Sequence, residues 1–238
     1  RVANNGTFIL NDWGSGRSLS GTFYAFDSTG TMLVKHHFRA NLYRNALAED
    51  GALALCETAN SPTKDGAVLA CFDLLDRRVR WVVPRPSFLP DAYEIAPSSS
   101  SISLRYSDLG AFHMSAGSGE ILEPREIELA FLTSTNGFTV MAVVEALLAE
   151  AATVTEAEWQ ATLVALNRLL QGSFHPSMTP TPRDLAKAHK LSGHVLEILG
   201  HGADALRAYQ AALALDNRAG VARRISALSR ELGLSGTV

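Results

Sequence analysis

The sequence predicts an α+β chain, with an N-terminal all-β region of three repeated antiparallel units and a C-terminal α-helical region. Three observations predict it. Residues 21–33 align without a gap on residues 110–122, and Tyr24-Ala-Phe-Asp27 matches Ala70-Cys-Phe-Asp73 between them. A second element recurs upstream of each copy, as Gly6-Thr-Phe-Ile-Leu, Gly51-Ala-Leu-Ala-Leu and Ser101-Ile-Ser-Leu, so two elements share a period of about 45 residues. From Phe138 onward the texture changes to Ala, Leu and Glu, with apolar residues at helical spacing. The expected division is residues 1–135 and 136–238.

Each N-terminal unit reads as short antiparallel strands. Phe23 alternates with Ala25, and Leu53 with Leu55, in the period-2 pattern of a half-buried strand. Ser-Thr-Gly, Asp-Gly and Gly-Ser-Gly supply the turns. Residues 42–46 and 92–95 add a strand ahead of the second and third copies, which gives four strands per unit. Asp12, Asp27, Asp65, Asp73 and Asp76 flank turns, where a carboxylate bonds nearby backbone amides.

The helical region has its own punctuation. Thr155 with Glu158 forms a capping box, followed by Trp159, Leu163, Leu166 and Leu170, and Gly172 ends the run. Residues 174–182 are proline-rich and read as a linker. Thr181, Pro182 and Asp184 start another helix: the hydroxyl caps, proline suits the first position, and aspartate favours the positive end. Residues 127–132 are compatible with a strand or with a helical turn.

Two family resemblances rest on these motifs. The N-terminal units resemble blades of WD40-like and quinoprotein-like β-propellers, in which Gly-x-apolar-x-Ala-apolar-Asp leads through a turn to an apolar strand ending in Trp. Residues 21–33 and 68–81 carry that pattern, with Asp27, Asp73 and Trp81, while the third copy lacks both Asp and Trp. Three blades do not close a ring. Missing N-terminal blades, pairing with a second copy, and a sandwich arrangement all answer that difficulty. The start at Arg1 favours the first and reads as a piece of something longer. The second resemblance is to the tetratricopeptide repeat: Gly193, Gly200, Ala205, Tyr209, Ala212 and Leu215-Asp216 fall at its spacing within residues 183–217. His189 and Ser192 depart from it. Residues 221–232 would cap the stack.

Composition bounds the function. The 238 residues are 47% hydrophobic and 19% charged with a net charge of −3, a globular composition with no electrostatic case for nucleic acid or a membrane surface. The apolar run of residues 140–144 ends at Glu145. Cys56 and Cys71 read as two buried reduced thiols, a cross-strand disulfide being the other reading. His36 and His37 point to opposite sides of a strand, and His189 and His194 are five residues apart, so no metal site is assigned. The loop of residues 14–21 lacks the lysine of a phosphate-binding loop. Arg77, Arg78 and Arg80 read as a solvated hairpin paired with Asp73 and Asp76.

The remaining candidate is a helical groove. Lys187, Lys190, His194 and Glu197 project from the first helix of the repeat-like hairpin, and Arg224 takes the Lys190-equivalent place one period on. Residues 183–238 hold eight Lys/Arg against five Asp/Glu, whereas the whole chain is acidic. In proteins with this repeat such positions contact extended peptides and sometimes grip a carboxylate. The expectation is a non-enzymatic, cytoplasmic interaction or scaffold module without a cofactor, taking an acidic protein or peptide partner at Lys187, Lys190, His194 and Arg224. The competing reading is a regulatory or ligand-sensing region of a larger enzyme whose catalytic part lies upstream. Glutamate at 190 and 224 should abolish capture of an acidic partner.

Overall fold

The computed structural model describes residues 1–14, 19–97, 100–172, 174 and 179–234. They form two units, Arg1–Pro124 and Arg125–Val238. Residues 15–18 of the glycine-containing loop, and 173 and 175–178 around the proline-rich linker, lie outside the described residues.

The first unit is three antiparallel sheets. Strands β1 (Phe8–Asp12), β2 (Gly21–Phe26) and β3 (Met32–Phe38) make the first. The second has four strands, β4 (Leu42–Leu47), β5 (Leu53–Thr58), β6 (Val68–Asp73) and β7 (Arg78–Pro84), in sequence order. The third is β8 (Ala92–Ile95), β9 (Ser101–Tyr106) and β10 (Gly110–Ser115). The repeat is a repeat of hairpins: Ile9 pairs with Ala25, Leu55 with Cys71, and Ile102 with Met114. The sheets are blade-like units, and the extra strands expected before the second and third copies are β4 and β8, but only the second sheet has the four strands expected of each unit.

Side-chain alternation stacks the sheets. One face of the first sheet carries Ile9, Phe23, Ala25, Val34 and Phe38, which join Ala54, Cys56, Ala70 and Phe72 of the second in one core. At its centre Phe23 stacks on Phe72, centroids 4.4 Å apart. Every residue of β5 is buried, because the second sheet is covered on both faces. Its other face holds Glu57, bonded to Tyr93 of β8, and Trp81, whose indole N–H donates to the Ala116 carbonyl at 2.9 Å.

Turn chemistry follows the aspartates. Asp27 Oδ1 accepts from the amides of Thr29 and Thr31, and the Thr29 hydroxyl and these amides hold its carboxyl below the usual range. Asp73, its repeat equivalent, accepts from the Asp76 amide and binds Arg80 at 2.7 Å. Arg78 pairs with Asp76, as the hairpin reading expects. Where the third copy has Ala116 instead, Ser115 Oγ accepts from Gly117 and Ser118. Cys56 and Cys71 are free and buried; burial raises both thiols, Cys71 to about 12. His36 packs on Phe38 and Phe72, while His37 turns outward to Thr22.

The second unit is helical: α1 (Pro124–Phe131), α2 (Gly137–Ala149), a 3₁₀ turn (Ala151–Thr153), α3 (Glu156–Leu170), α4 (Pro182–Ile198), α5 (Gly202–Leu215) and α6 (Ala222–Glu231). The ambiguous residues 127–132 resolve as helix, with Ile127 and Phe131 buried on one face. Asn136 caps α2, and complete capping boxes start α3 at Thr155 and α4 at Thr181. Gly172 takes the left-handed φ of +106° that stops a helix. No helix among the described residues is long and apolar enough to cross a membrane.

Helices α4 and α5 pack most intimately, and the reason is steric. A Cβ at Gly193 would lie 2.4 Å from Tyr209 Cε1, so only glycine admits the fully buried ring. Leu196, Ala205, Leu206, Ala212, Val221 and Leu228 complete that core.

Candidate functional site

A cleft of about 760 Å³ lies along α4 in the second unit. The α4 capping box fixes its near end: the Thr181 hydroxyl donates to Asp184 Oδ2 at 2.6 Å and the Thr181 amide at 2.9 Å, and these bonds hold the Asp184 carboxyl below its usual range. From that start Arg183, Lys187 and Lys190 follow at helical spacing on one stripe, with Ala186 and Leu191 between them lining the cleft. The facing wall is the connection from α5 to α6, residues 215–219. Asp216 ends α5 and accepts the Arg218 amide at 2.9 Å, which turns the chain across the cleft mouth. Glu145 of α2 closes the remaining side.

Charge in the cleft is unevenly balanced. It is lined by Arg183, Lys187, Lys190 and Arg218 against Glu145 and Asp216. Lys187 Nζ binds Glu145 Oε2 at 2.9 Å, with both side chains about half exposed. Among the described residues Arg183, Lys190 and Arg218 have no carboxylate within ion-pair distance. Three cations therefore meet at a half-apolar cleft with an uncompensated charge, which suits an anion with an apolar neighbour.

The four residues expected to bind a partner separate in the structure. Lys187 and Lys190 line the cleft together. His194 lies one turn further along α4 with its ring edge-on to Tyr209, centroids 5.5 Å apart. Burial, and then the nearby Lys190, push its imidazole below the usual range. Arg224 Nε binds Glu197 Oε2 at 3.2 Å, and Glu197 also accepts from the Tyr209 hydroxyl. Arg183 and Arg218 were not among the expected residues. Arg183 keeps the helical spacing of Lys187 and Lys190 and was legible from that. Arg218 arrives through the path of the α5–α6 turn, which no local spacing encodes.

The first unit has a buried polar cluster as well. Glu57 is fully buried and accepts from Tyr93 at 2.9 Å and from Arg85 at 3.2 Å. Burial raises its carboxyl in spite of those partners. The cluster ties β5, the end of β7 and β8 together. Among the described residues no three His, Cys, Asp or Glu side chains gather as metal ligands would.

No protein-family description matches the chain, and no curated protein matches it. Among solved structures it is similar to BamB from Moraxella catarrhalis, at 18% identity and a TM-score of 0.33, over 44% of this chain and 30% of that one. It is also similar to the C-terminal WD40 domain of Sif2, at 13% identity and a TM-score of 0.32, over 49% of this chain and 33% of that one. The match thus spans about a third of each of those proteins.

Proposed function

We propose that the chain is a non-enzymatic interaction module that takes an acidic protein segment in the cleft of α4 and the α5–α6 turn. The α4–α5 hairpin is, in this reading, a tetratricopeptide-like unit, supported by the fit of Gly193 to Tyr209. The observation that carries the partner chemistry is the convergence of Arg183, Lys190 and Arg218 without paired carboxylates on a cleft whose walls include Ala186, Leu191 and Leu215. An extended segment with alternating carboxylates and apolar side chains meets both needs. Carboxylates engage the cations, and the apolar side chains cover the alanine and leucines.

The test is fluorescence anisotropy with the full chain and a short labelled peptide of glutamates interspersed with leucine. Binding should weaken as salt rises, and Lys190→Glu should remove it while far-UV circular dichroism stays unchanged. A peptide of the same length with lysine in place of glutamate should not bind. Equal binding of the two peptides, or binding that survives Lys190→Glu, would overturn the assignment.

A further inference from the structure

The first strand of each sheet, β1, β4 and β8, is an edge strand, and together these edges wall a pocket of about 300 Å³ within the first unit. Asn11 comes from β1, with Trp13 just beyond its end. Tyr43, Arg44 and Asn45 come from β4, and Asp91 from the entry to β8. A regular strand turns successive side chains to opposite faces, so three in a row on one pocket need a reason. The register supplies it: Leu42 pairs with Thr58 and Arg44 with Glu57, which leaves Tyr43 as a bulge without a partner in β5. A bulge on an edge strand breaks the alternation and re-aims its neighbours.

The pocket holds polar groups that the fold leaves unpaired. Among the described residues, the buried side-chain atoms without a hydrogen-bond partner are Asn11 Oδ1, Arg44 Nη1 and one nitrogen of Arg125. The first two belong to residues of this pocket. A donor and an acceptor buried without partners are costly, and their meeting at one place calls for a group that satisfies both. The other polar residues are half committed. Asn45 Oδ1 accepts from Arg1 Nε at 3.0 Å, which leaves the Asn45 amide nitrogen to donate. Asp91 Oδ2 takes the amide and the hydroxyl of Ser107, each at 2.7 Å, which leaves Oδ1 to accept. Beside them Trp13 is 61% exposed. The Arg44 guanidinium lies over the Tyr43 ring, 4.9 Å from its centroid, so the indole is the open aromatic face.

We propose that this pocket binds a short neutral saccharide. The ligand has to accept from Arg44 and Asn45, donate to Asn11 and Asp91, and offer an apolar face to an indole. Hydroxyl groups donate and accept at once, and a pyranose ring adds a flat C–H face that packs on Trp13. On binding, the ends of Asn11 and Arg44 turn onto the hydroxyls. A polyanion meets the Asp91 carboxylate, and an apolar ligand leaves Arg44 unpaired, so neither fits. The volume lies at the small end of the range for small-molecule sites.

The test is saturation-transfer NMR with the full chain and a panel of glucose, galactose, mannose, N-acetylglucosamine and their disaccharides, with adenosine as the comparison. At least one sugar should receive saturation at its ring C–H protons. Trp13→Ala, at an exposed position, should remove that transfer while circular dichroism stays unchanged. Arg44→Leu should weaken binding by about tenfold or more. If Arg44→Leu disturbs the circular dichroism, Trp13→Ala alone decides. Lys190→Glu, in the α4 cleft of the other unit, should leave sugar binding as it is, so the two sites fail separately. Saturation of none of the sugars, sugar binding that survives Trp13→Ala, or a pocket that takes adenosine and no sugar would overturn the proposal.

Discussion

Gly193 and Tyr209 touch face to ring across α4 and α5, with no room for a Cβ between them. The tyrosine is fully buried, and its hydroxyl reaches Glu197 one turn along from the glycine. The hairpin therefore depends on an absent side chain at one position and a large ring at the other. In an exposed helix Gly→Ala would add about 1 kcal/mol of stability through backbone entropy. Here overpacking, at about 1–3 kcal/mol, opposes it. With contacts this short Gly193→Ala should lose about 2 kcal/mol net in urea unfolding. The double variant with Tyr209→Leu should lose less than the two single variants added together, since removing the ring removes the clash.

A similar dependence joins the second and third sheets. The Trp81 ring lies over Gly119, where a Cβ would approach Cε3 to 2.9 Å, and Gly119 holds a left-handed φ of +78°. The indole N–H is bonded to Ala116 in the same turn. Gly119→Ala combines backbone strain with overpacking and should cost about 2–3 kcal/mol. Trp81→Phe keeps the aromatic packing but leaves the Ala116 carbonyl only the longer 3.4 Å bond from Arg80, a loss of about 1 kcal/mol. Thermal unfolding followed by circular dichroism checks both, and the pair should be non-additive because the two residues touch.

The sequence made the sheets legible because their signals are local: alternation at Phe23 and Ala25, turn aspartates at Asp27 and Asp73, and glycines at the turns. The same holds for the helix starts at Thr155 and Thr181, where capping is settled within four residues. Residues 127–132 were ambiguous because Ile127 and Phe131 satisfy either period over so short a run, and burial of that pair on one side of the second unit selected the helix. Of the cleft, the α4 stripe was legible as spacing along one helix. Its far wall was not, since Arg218 and Glu145 come near Lys187 and Lys190 only through tertiary packing. Arg224, which its period places beside the groove, pairs with Glu197 of α4, a contact that spacing along the chain does not encode.

Glu57 and Glu158 contribute to the pH dependence of stability in opposite directions. Burial raises the Glu57 carboxyl above its ordinary value of 4.5, so above that pH the folded protein holds a proton that the unfolded chain releases. The stability that Glu57 contributes is therefore lost as pH climbs from 4.5 through the raised value. Glu158 is the opposite case. The Arg125 guanidinium at 2.8 Å, together with the Thr155 amide and hydroxyl, lowers its carboxyl to about 2. Its contribution is present above 4.5 and is lost as pH falls from there to about 2. Glu57→Gln should flatten the high-pH decline, because the amide still accepts from Tyr93 or Arg85 without ionising. Glu158→Gln should flatten the acid-side loss and leave the high-pH side alone. Urea midpoints between pH 3 and 8 measure both, with Trp159, buried in α3, reporting the second unit and Trp81 the first. Single-tryptophan variants, with the other tryptophans replaced by phenylalanine, assign each transition to its unit. If Glu57→Gln alters the acid limb instead, the buried carboxylate is ionised throughout, and Arg85 outweighs burial at that site.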